Sequence, residues 1–419
     1  MRISTSEYLS MNVQSMDNQQ SELTSLYAEI SSGQSITTPA DNPLGAAQAV
    51  QLSMQGATLS QYASNQNSAA TQLGAEDSTL GSVLQQLQQV NQAMESAGNQ
   101  SLSDSDRSAI ATQLQNLNTS LQTLANTQSP SGGYLFGGFQ SNSQPFTLNS
   151  AGTVVYNGDN GISSTQISDT TSIATSDSGA AVFMSVTPET ASPVAYAAAG
   201  NTGTAIIGPV STTNALASAS GDKYGITFSV AGTPAVTTYT VSDTTSAGVT
   251  TTTAAQPFTA GTPITLGTSG QSVTFSGAPA NNDSFNVAPA AQVPATQGGT
   301  NIFATIQNMI TALQTPADTP AATAALSNAL NVGMTQVQNS ISNVTTVQAS
   351  VGGREQQIKA MQTVNSGLSL QNSSSLADVT TIDMASTISK YTQTQYSLQA
   401  SQQAFVQVQQ MSLFQYLNQ

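Results

Sequence analysis

Asp104 and Asp106, in the stretch SLSDSDRSAI, are the nearest thing in this sequence to a paired acid–base set. Two carboxylates held close can divide acid and base roles between them. Asp222, Asp243 and Asp283 form a looser set in a Thr-rich region, the raw material of a glycosidase. NGDNG, around Asp159, has the outline of a Ca²⁺ loop, and GGYLFGG has the glycine density of a phosphate loop. Each reading fails on its chemistry. Ca²⁺ takes about six to eight oxygen ligands, so one Asp with two Asn is too few, and a hairpin turn is expected there. GGYLFGG lacks the lysine and the following helix of a phosphate loop, so Tyr134, Leu135 and Phe136 are expected to anchor a core. Asp104 and Asp106 stand at a helix start, where carboxylates cap the chain and offset the helix dipole. Asp378 and Asp383 border a later break and are expected to cap or to be solvated. The chain has no His and no Cys. That removes thiol chemistry, imidazole acid–base work and nearly every zinc site. No catalytic, metal or cofactor site is expected, and the protein is read as a non-enzyme.

Charge narrows the partners. Only 6% of residues are charged, against about 25% in an ordinary soluble domain. The net charge of −15 comes from 21 acids and six bases, Arg2, Arg107, Lys223, Arg354, Lys359 and Lys390. Bases so dispersed form no basic patch, so neither nucleic acid nor membrane insertion is expected. Lys223 reads as an isolated surface lysine. The first residues, MRISTSEYLSMNVQSM, hold no apolar core of a cleaved secretory signal, and nothing is long and apolar enough to span a bilayer. Export, where it occurs, is expected to read an uncleaved N-terminus, and a cysteine-free chain suits an extracellular destination.

The elements that position these residues are helices at both ends. Leu9, Met16, Leu23 and Ile30 recur every seven residues, with Val13, Gln20 and Tyr27 between them. That is the seam of a helix facing other helices. Gly33 reads as its C-cap, and Pro39 and Pro43 forbid simple continuation. Asp41 is expected to cap a second helix from Leu44, carrying Leu52, Leu59 and Leu73. Two further helices are expected, one over Val83, Leu87, Val90 and Met94, and one over Ile110, Leu114, Leu117, Leu121 and Leu124 behind a Ser103–Asp106 capping box. From Pro130 to about Thr300 the period changes to short alternating runs such as YGITFSV and SVTFSG, bounded by Gly, Pro, Asn and Asp. These read as a β-sandwich or barrel. Helical period returns with Leu330, Val337, Val344, Val351 and Ile358, breaks at SLQNSSSLAD, and resumes with Met384, Tyr391, Leu398 and Phe405.

The predicted fold is therefore α+β and multidomain: a discontinuous helical bundle or coiled coil built from both chain ends, with an inserted all-β domain. Residues 1–43 and 375–419 form a terminal assembly domain, and 44–135 with 301–374 a helical core. Residues 136–190 form a strand extension of that core, and 191–300 an outward-facing β-domain. The internal heptads suit an intramolecular core. The terminal seams are sparse, and a two-helix pair leaves much of each exposed, so they are expected to complete their order only among other copies. The expected subunit-interface residues are Leu9, Val13, Met16, Leu23, Tyr27, Ile30, Met384, Tyr391, Leu398, Phe405, Leu413 and Leu417.

RIST near the start and EISSGQSITTPADNPLGAAQAVQL after it resemble the flagellin-like N-terminal region. LSDSDRSAIATQLQNL, ANTQSPSGGYLFGGFQSNSQPF, VVYNGDNG, QISDTTSIATSDSGAAVF, SLQAS and MSLFQYL are similar to the hook–filament junction branch of that family. The resemblance covers about residues 1–184 and 301–419. Where the family commonly carries Lys-Arg after SSG, this chain has Gln34-Ser35, and Asn42 interrupts the usual DDP. The resemblance implies a structural adaptor of the bacterial flagellum, forming a layer of copies between a hook-side junction protein and flagellin. It also implies type III export, with a chaperone holding the C-terminal helix. A filament subunit of the flagellin type and a secreted adhesin with a β-rich binding domain are the alternatives.

Overall fold

The computed structural model describes residues 5–417 except 100, 131, 151, 189–190, 214–220 and 269, and gives the backbone alone for 5, 6, 8 and 410–417. In chain order the helices are α1 (Thr5–Ser32), α2 (Pro43–Ala97), α3 (Asp104–Ala125), a short α4 (Gly179–Phe183), α5 (Ile302–Gln314), α6 (Pro320–Thr380) and α7 (Met384–Leu417). The strands all lie between α3 and α5, so helices from both ends do flank a β-rich middle. The chain divides into two compact units, residues 1–64 with 361–419, and residues 65–360.

Two expected breaks are absent. α2 runs unbroken from Leu44 through Met94, and α6 runs through SLQNSSSLAD to Thr380. Ser, Asn and Asp cost only about 0.5–0.7 kcal/mol each in a helix, and neither stretch contains a proline to force an end. The predicted capping box of α3 is present: Ser103 Oγ accepts from the Asp106 N–H (3.2 Å) and Asp106 Oδ2 from the Ser103 N–H (3.1 Å).

In the larger unit the seven-residue register of α6 is a core. Leu330, Val337, Val344, Val351 and Ile358 are all buried, as are Leu73, Leu80, Leu87 and Met94 of α2 and Leu114, Leu117 and Leu121 of α3. α6 runs antiparallel to α2, with Gln348 Nε2 donating to Asp77 Oδ1 (3.1 Å) and Gly333 leaving room for Met94 and Met309. Phe136, Phe146, Tyr156, Phe183 and Phe303 meet at ring separations of 5.0–5.8 Å beside these helices. YLFGG and PF therefore do form a core, with Leu135 and Phe136 buried and Tyr134 half-buried.

The non-helical chain is fastened to the helices by side-chain amides. Asn126 donates to Phe146 O (2.9 Å) and accepts from Phe146 N (3.0 Å), the two bonds a neighbouring strand would make. Asn339 does the same to Ser192 (2.9 and 2.8 Å). Asn328 accepts from Ile207 N (2.9 Å) and donates to Ala205 O (3.0 Å), and Asn343 donates to Ala181 O (2.8 Å). Buried amides of this kind satisfy the backbone groups of an irregular segment without introducing charge.

Two small hairpins come first: β1 (Phe146–Leu148) with β2 (Val154–Tyr156), and β3 (Ser164–Gln166) with β4 (Ser172–Ala174). The insert then contributes β5 (Val194–Ala197), β6 (Ile206–Ile207), β7 (Ser211–Thr212), β8 (Lys223–Ala231), β9 (Val236–Thr244), β10 (Thr250–Thr252), β11 (Gln256–Pro257), β12 (Ile264–Leu266), β13 (Gln271–Val273), β14 (Phe275–Ser276) and β15 (Ser284–Ala288). A six-stranded sheet, β10-β9-β8-β15-β5 with β11 on β9, shares one core with the smaller sheets β12-β13-β7 and β14-β6. Phe228, Phe258, Phe275 and Phe285 fill it in edge-to-face pairs. The alternating runs, read as a sandwich or barrel, are strands of these sheets around one shared core.

Candidate assembly surface

The candidate carboxylates are spent on structure. Asp283 is buried and accepts from the N–H groups of Thr202 (2.9 Å), Gly203 (3.0 Å) and Ala280 (2.8 Å), which fixes a loop. Asp222 accepts from Ser246 N (3.1 Å). Burial, and then Asp222, raises the Asp243 carboxyl above its usual range; Asp243 lies in β9 between Tyr224 of β8 and Thr251 of β10, and its Oδ1 has no hydrogen-bond partner. Asp106 is held below its usual range by Ser103, and Asp104 pairs with Arg107. Asp383 Oδ1 caps α7 through the N–H groups of Ala385 (3.1 Å) and Ser386 (3.3 Å). Lys223 is exposed at the start of β8. NGDNG is not a hairpin turn: β2 pairs with β1 and β3 with β4, so the stretch links two hairpins. Among the described residues no group of three or more acids could hold a metal ion.

Sequence reasoning missed Glu76 of α2. It is fully buried, its Oε1 accepts from Asp177 N (3.0 Å) and its Oε2 has no hydrogen-bond partner. Burial, and then the Asp177 charge, push its pKa up to about 8 against the pull of Arg354. Arg354 pairs with Asp177 and donates to Ala174 O (3.2 Å), so the cluster locks the chain entering α4.

The smaller unit contains the predicted interface residues. α1 and α7 pack antiparallel: Gln19 Nε2 donates to Ser397 Oγ (3.3 Å), and Ile382 N to Gly33 O (3.3 Å). The PADNP break now has a physical account. Gly33 closes α1 with φ 70°, and the segment after it pairs with the α6–α7 break, Gln34 opposite Thr381. Ser35 N donates to Thr380 O (2.8 Å) and its Oγ to Val379 O (3.1 Å). Main-chain pairing joins the two interruptions, so Gln34-Ser35 needs no charge. Asn42, not Asp41, caps α2: Asn42 Oδ1 accepts from Gly45 N (2.9 Å), with Pro43 at the first helical position. Asp41 instead accepts from Thr38 N (2.7 Å) and Thr37 Oγ1 (2.9 Å), closing the turn before the cap, and those bonds lower its pKa.

The pair sorts the predicted seam. Leu9, Met16, Leu23 and Ile30 are half-buried, but the stripe between them is Asn12, Gln19 and Leu26, not Val13, Gln20 and Tyr27. Leu26 is buried, whereas Val13 is 41% and Tyr27 63% exposed. A seven-residue repeat fixes one stripe, and its companion can lie three or four positions on; here α7 takes the near side. On α7, Tyr391, Leu398 and Phe405 are half-buried in step with Thr394 and Ser401, while Met384 is exposed. Leu413 and Leu417 have side chains outside the described residues. Ile388, Tyr396 and Val406 of α7 remain exposed, as do Leu44 and Met54 of α2 and Leu368 and Leu370 of α6.

Comparison with known proteins places this geometry. The model of the bacterial flagellin N-terminal helical region matches residues 3–141. Flagellar hook-associated protein 3 of Salmonella typhimurium is 26% identical over 416 residues, covering 99% of both chains. The solved hook-associated protein-3 of Legionella pneumophila aligns with TM-score 0.68 at 26% identity, covering 78% of this chain and 98% of its own. A structure described as the flagellar junction protein FlgL, also from Legionella pneumophila, aligns with TM-score 0.65 at 26% identity, covering 80% and 99%.

Proposed function

Starting from the chain's likeness along its whole length to flagellar hook-associated protein 3, and from its flagellin-type N-terminal region, we propose that it is a structural adaptor joining the flagellar hook to the flagellin filament. The observation that carries this reading is the α1–α7 pair, which leaves Val13, Tyr27, Ile388 and Tyr396 in water after the two helices have met. Large apolar side chains grouped on one small unit mark a surface that another protein covers. Leu9, Val13, Met16, Leu23, Tyr27, Ile30, Met384, Tyr391, Leu398, Phe405, Leu413 and Leu417 make or support that contact among copies. Residues 1–43 and 375–419 serve as the assembly domain, 44–135 with 301–374 as the helical core, 136–190 as its strand extension, and the insert of 191–300 faces outward. A hook-side junction protein and flagellin take the two faces of the layer. The chain reaches its extracellular place by type III export, its C-terminal helix held by a chaperone beforehand.

A strain lacking the protein tests the reading. Hooks without filaments, with flagellin monomers in the medium, are expected. Filaments of normal number and attachment would overturn it.

A further inference from the structure

NGDNG holds the only two Asn-Gly pairs of the chain, Asn157-Gly158 and Asn160-Gly161. Asn is chemically labile, and a following Gly makes it more so. The Gly backbone nitrogen loses its proton and attacks the Asn side-chain carbonyl carbon. A new C–N bond closes a succinimide, and the side-chain amide nitrogen leaves as ammonia. Water then opens the ring at either carbonyl, giving Asp or isoaspartate. A Cβ on the attacking residue would crowd this approach, and Gly has none. Packing demands Gly at both places. A Cβ on Gly158 would strike the Tyr156 ring, and one on Gly161 the Phe139 ring. The labile pairs are therefore built into the loop.

Asn157 and Asn160 are both exposed, so water reaches each, but they are held in different ways. Asn157 is pinned to the segment of β1: its N–H donates to Pro145 O (2.7 Å) and its Nδ2 to Thr147 Oγ1 (2.7 Å). Ring closure brings the reacting atoms to about 3–3.5 Å in a near-attack geometry, which obliges the Asn157 side chain to leave Thr147. At Asn160 the held group is the attacking nitrogen. Gly161 N donates to Asp159 Oδ1 (2.8 Å), and the same oxygen accepts from Phe139 N (2.8 Å). Gly138 takes φ 65°, and a Cβ there would strike Asp159, so the carboxylate is seated closely. An N–H bound to a carboxylate keeps its proton, and the adjacent negative charge opposes the amide anion that must form.

We propose that Asn160-Gly161 is the spontaneous deamidation site of this chain, restrained by Asp159, and that Asn157-Gly158 is restrained more firmly through Thr147. Asn160 converts first, because its side chain is already free and one hydrogen bond stands in the way. Isoaspartate at this position adds a methylene to the main chain, draws Gly161 N away from Asp159 and sets a second carboxylate beside it. The turn that carries Phe139 loosens as the molecule ages.

The purified full chain, kept in warm, mildly alkaline buffer made with heavy-oxygen water, tests this. Peptic digestion in acid halts the reaction, and mass spectrometry locates the label. Label is expected at residue 160 ahead of 157. Both sites should convert at least about tenfold more slowly than in the same chain unfolded by guanidinium chloride, equivalent to about 1.4 kcal/mol of protection. Asp159→Ala should speed residue 160 by roughly tenfold and leave 157 unchanged, and Thr147→Val should do the converse. Asn160→Gln should abolish the label at 160. Label appearing first at 157 overturns the inference, as does a native rate at 160 equal to that of the unfolded chain. An Asp159→Ala chain of unchanged Tm that converts no faster at 160 also overturns it. If that variant melts early, the native-against-unfolded comparison decides.

Discussion

From Leu330 to Ile358 every seventh residue of α6 is aliphatic and buried, and in the other unit the same register carries Asn365 and Asn372. These donate to Leu59 O (2.9 Å) and Leu52 O (3.0 Å) of α2. One seam is a finished core. The other is stitched by amides, uncharged from Ala360 to Ala377, and flanked by exposed Leu368 and Leu370. A polar seam gives up apolar burial and gains a defined register. The larger unit has a continuous aliphatic seam, whereas the smaller one keeps a polar seam and leaves Val13, Tyr27, Leu368 and Leu370 exposed, as the proposed contact among copies requires.

The sharpest way to break this contrast is a pair of truncations. Leu87→Ala, in the buried seam of α2, is expected to cost about 3–5 kcal/mol, and Leu23→Ala in half-buried α1 less than about 1 kcal/mol, both read by denaturant unfolding. Equal losses would show that the two seams are alike. Next comes pH. Glu76 has a raised folded pKa of about 8, so between about 4.5 and 8 the folded chain holds a proton that the unfolded chain has released. Its contribution therefore turns unfavourable as pH rises through that window, by on the order of 5 kcal/mol. Glu76→Gln keeps the bond from Asp177 N and should flatten the decline; a decline that persists unchanged assigns it elsewhere. The smallest effects concern the amides. Asn339→Leu strands the N–H and C=O of Ser192 and should cost about 2 kcal/mol. Asn372→Leu removes a buried Oδ1 that has no partner and should change stability by less than about 1 kcal/mol. A cost for Asn372→Leu as large as that for Asn339→Leu would erase the distinction between the units.

Much of this was legible beforehand, and for identifiable reasons. Heptads, the Ser103–Asp106 box and the Gly33 stop are local, set by side-chain periodicity and by backbone angles only some residues adopt. Where a helix stops was less legible, because weak helix formers such as those in QNSSSLAD end nothing unless a competing bond is available. Glu76 gave no signal, since a single Glu on an amphipathic face normally points to water. The amide clamps were visible only as Asn residues within apolar stripes, with no sign of which backbone they would grip.

The amino-acid sequence alone determined helical ends, a β-rich insert and the absence of thiol and imidazole chemistry, because these depend on residue type and short-range spacing. Tertiary structure decided which stripe of α1 turns inward, leaving Tyr27 outside and Leu26 within, and it joined NGDNG to GGYLFGGF through Asp159. Those outcomes depend on which distant segment arrives to compete for a face or an N–H group, and spacing along one helix does not contain that information.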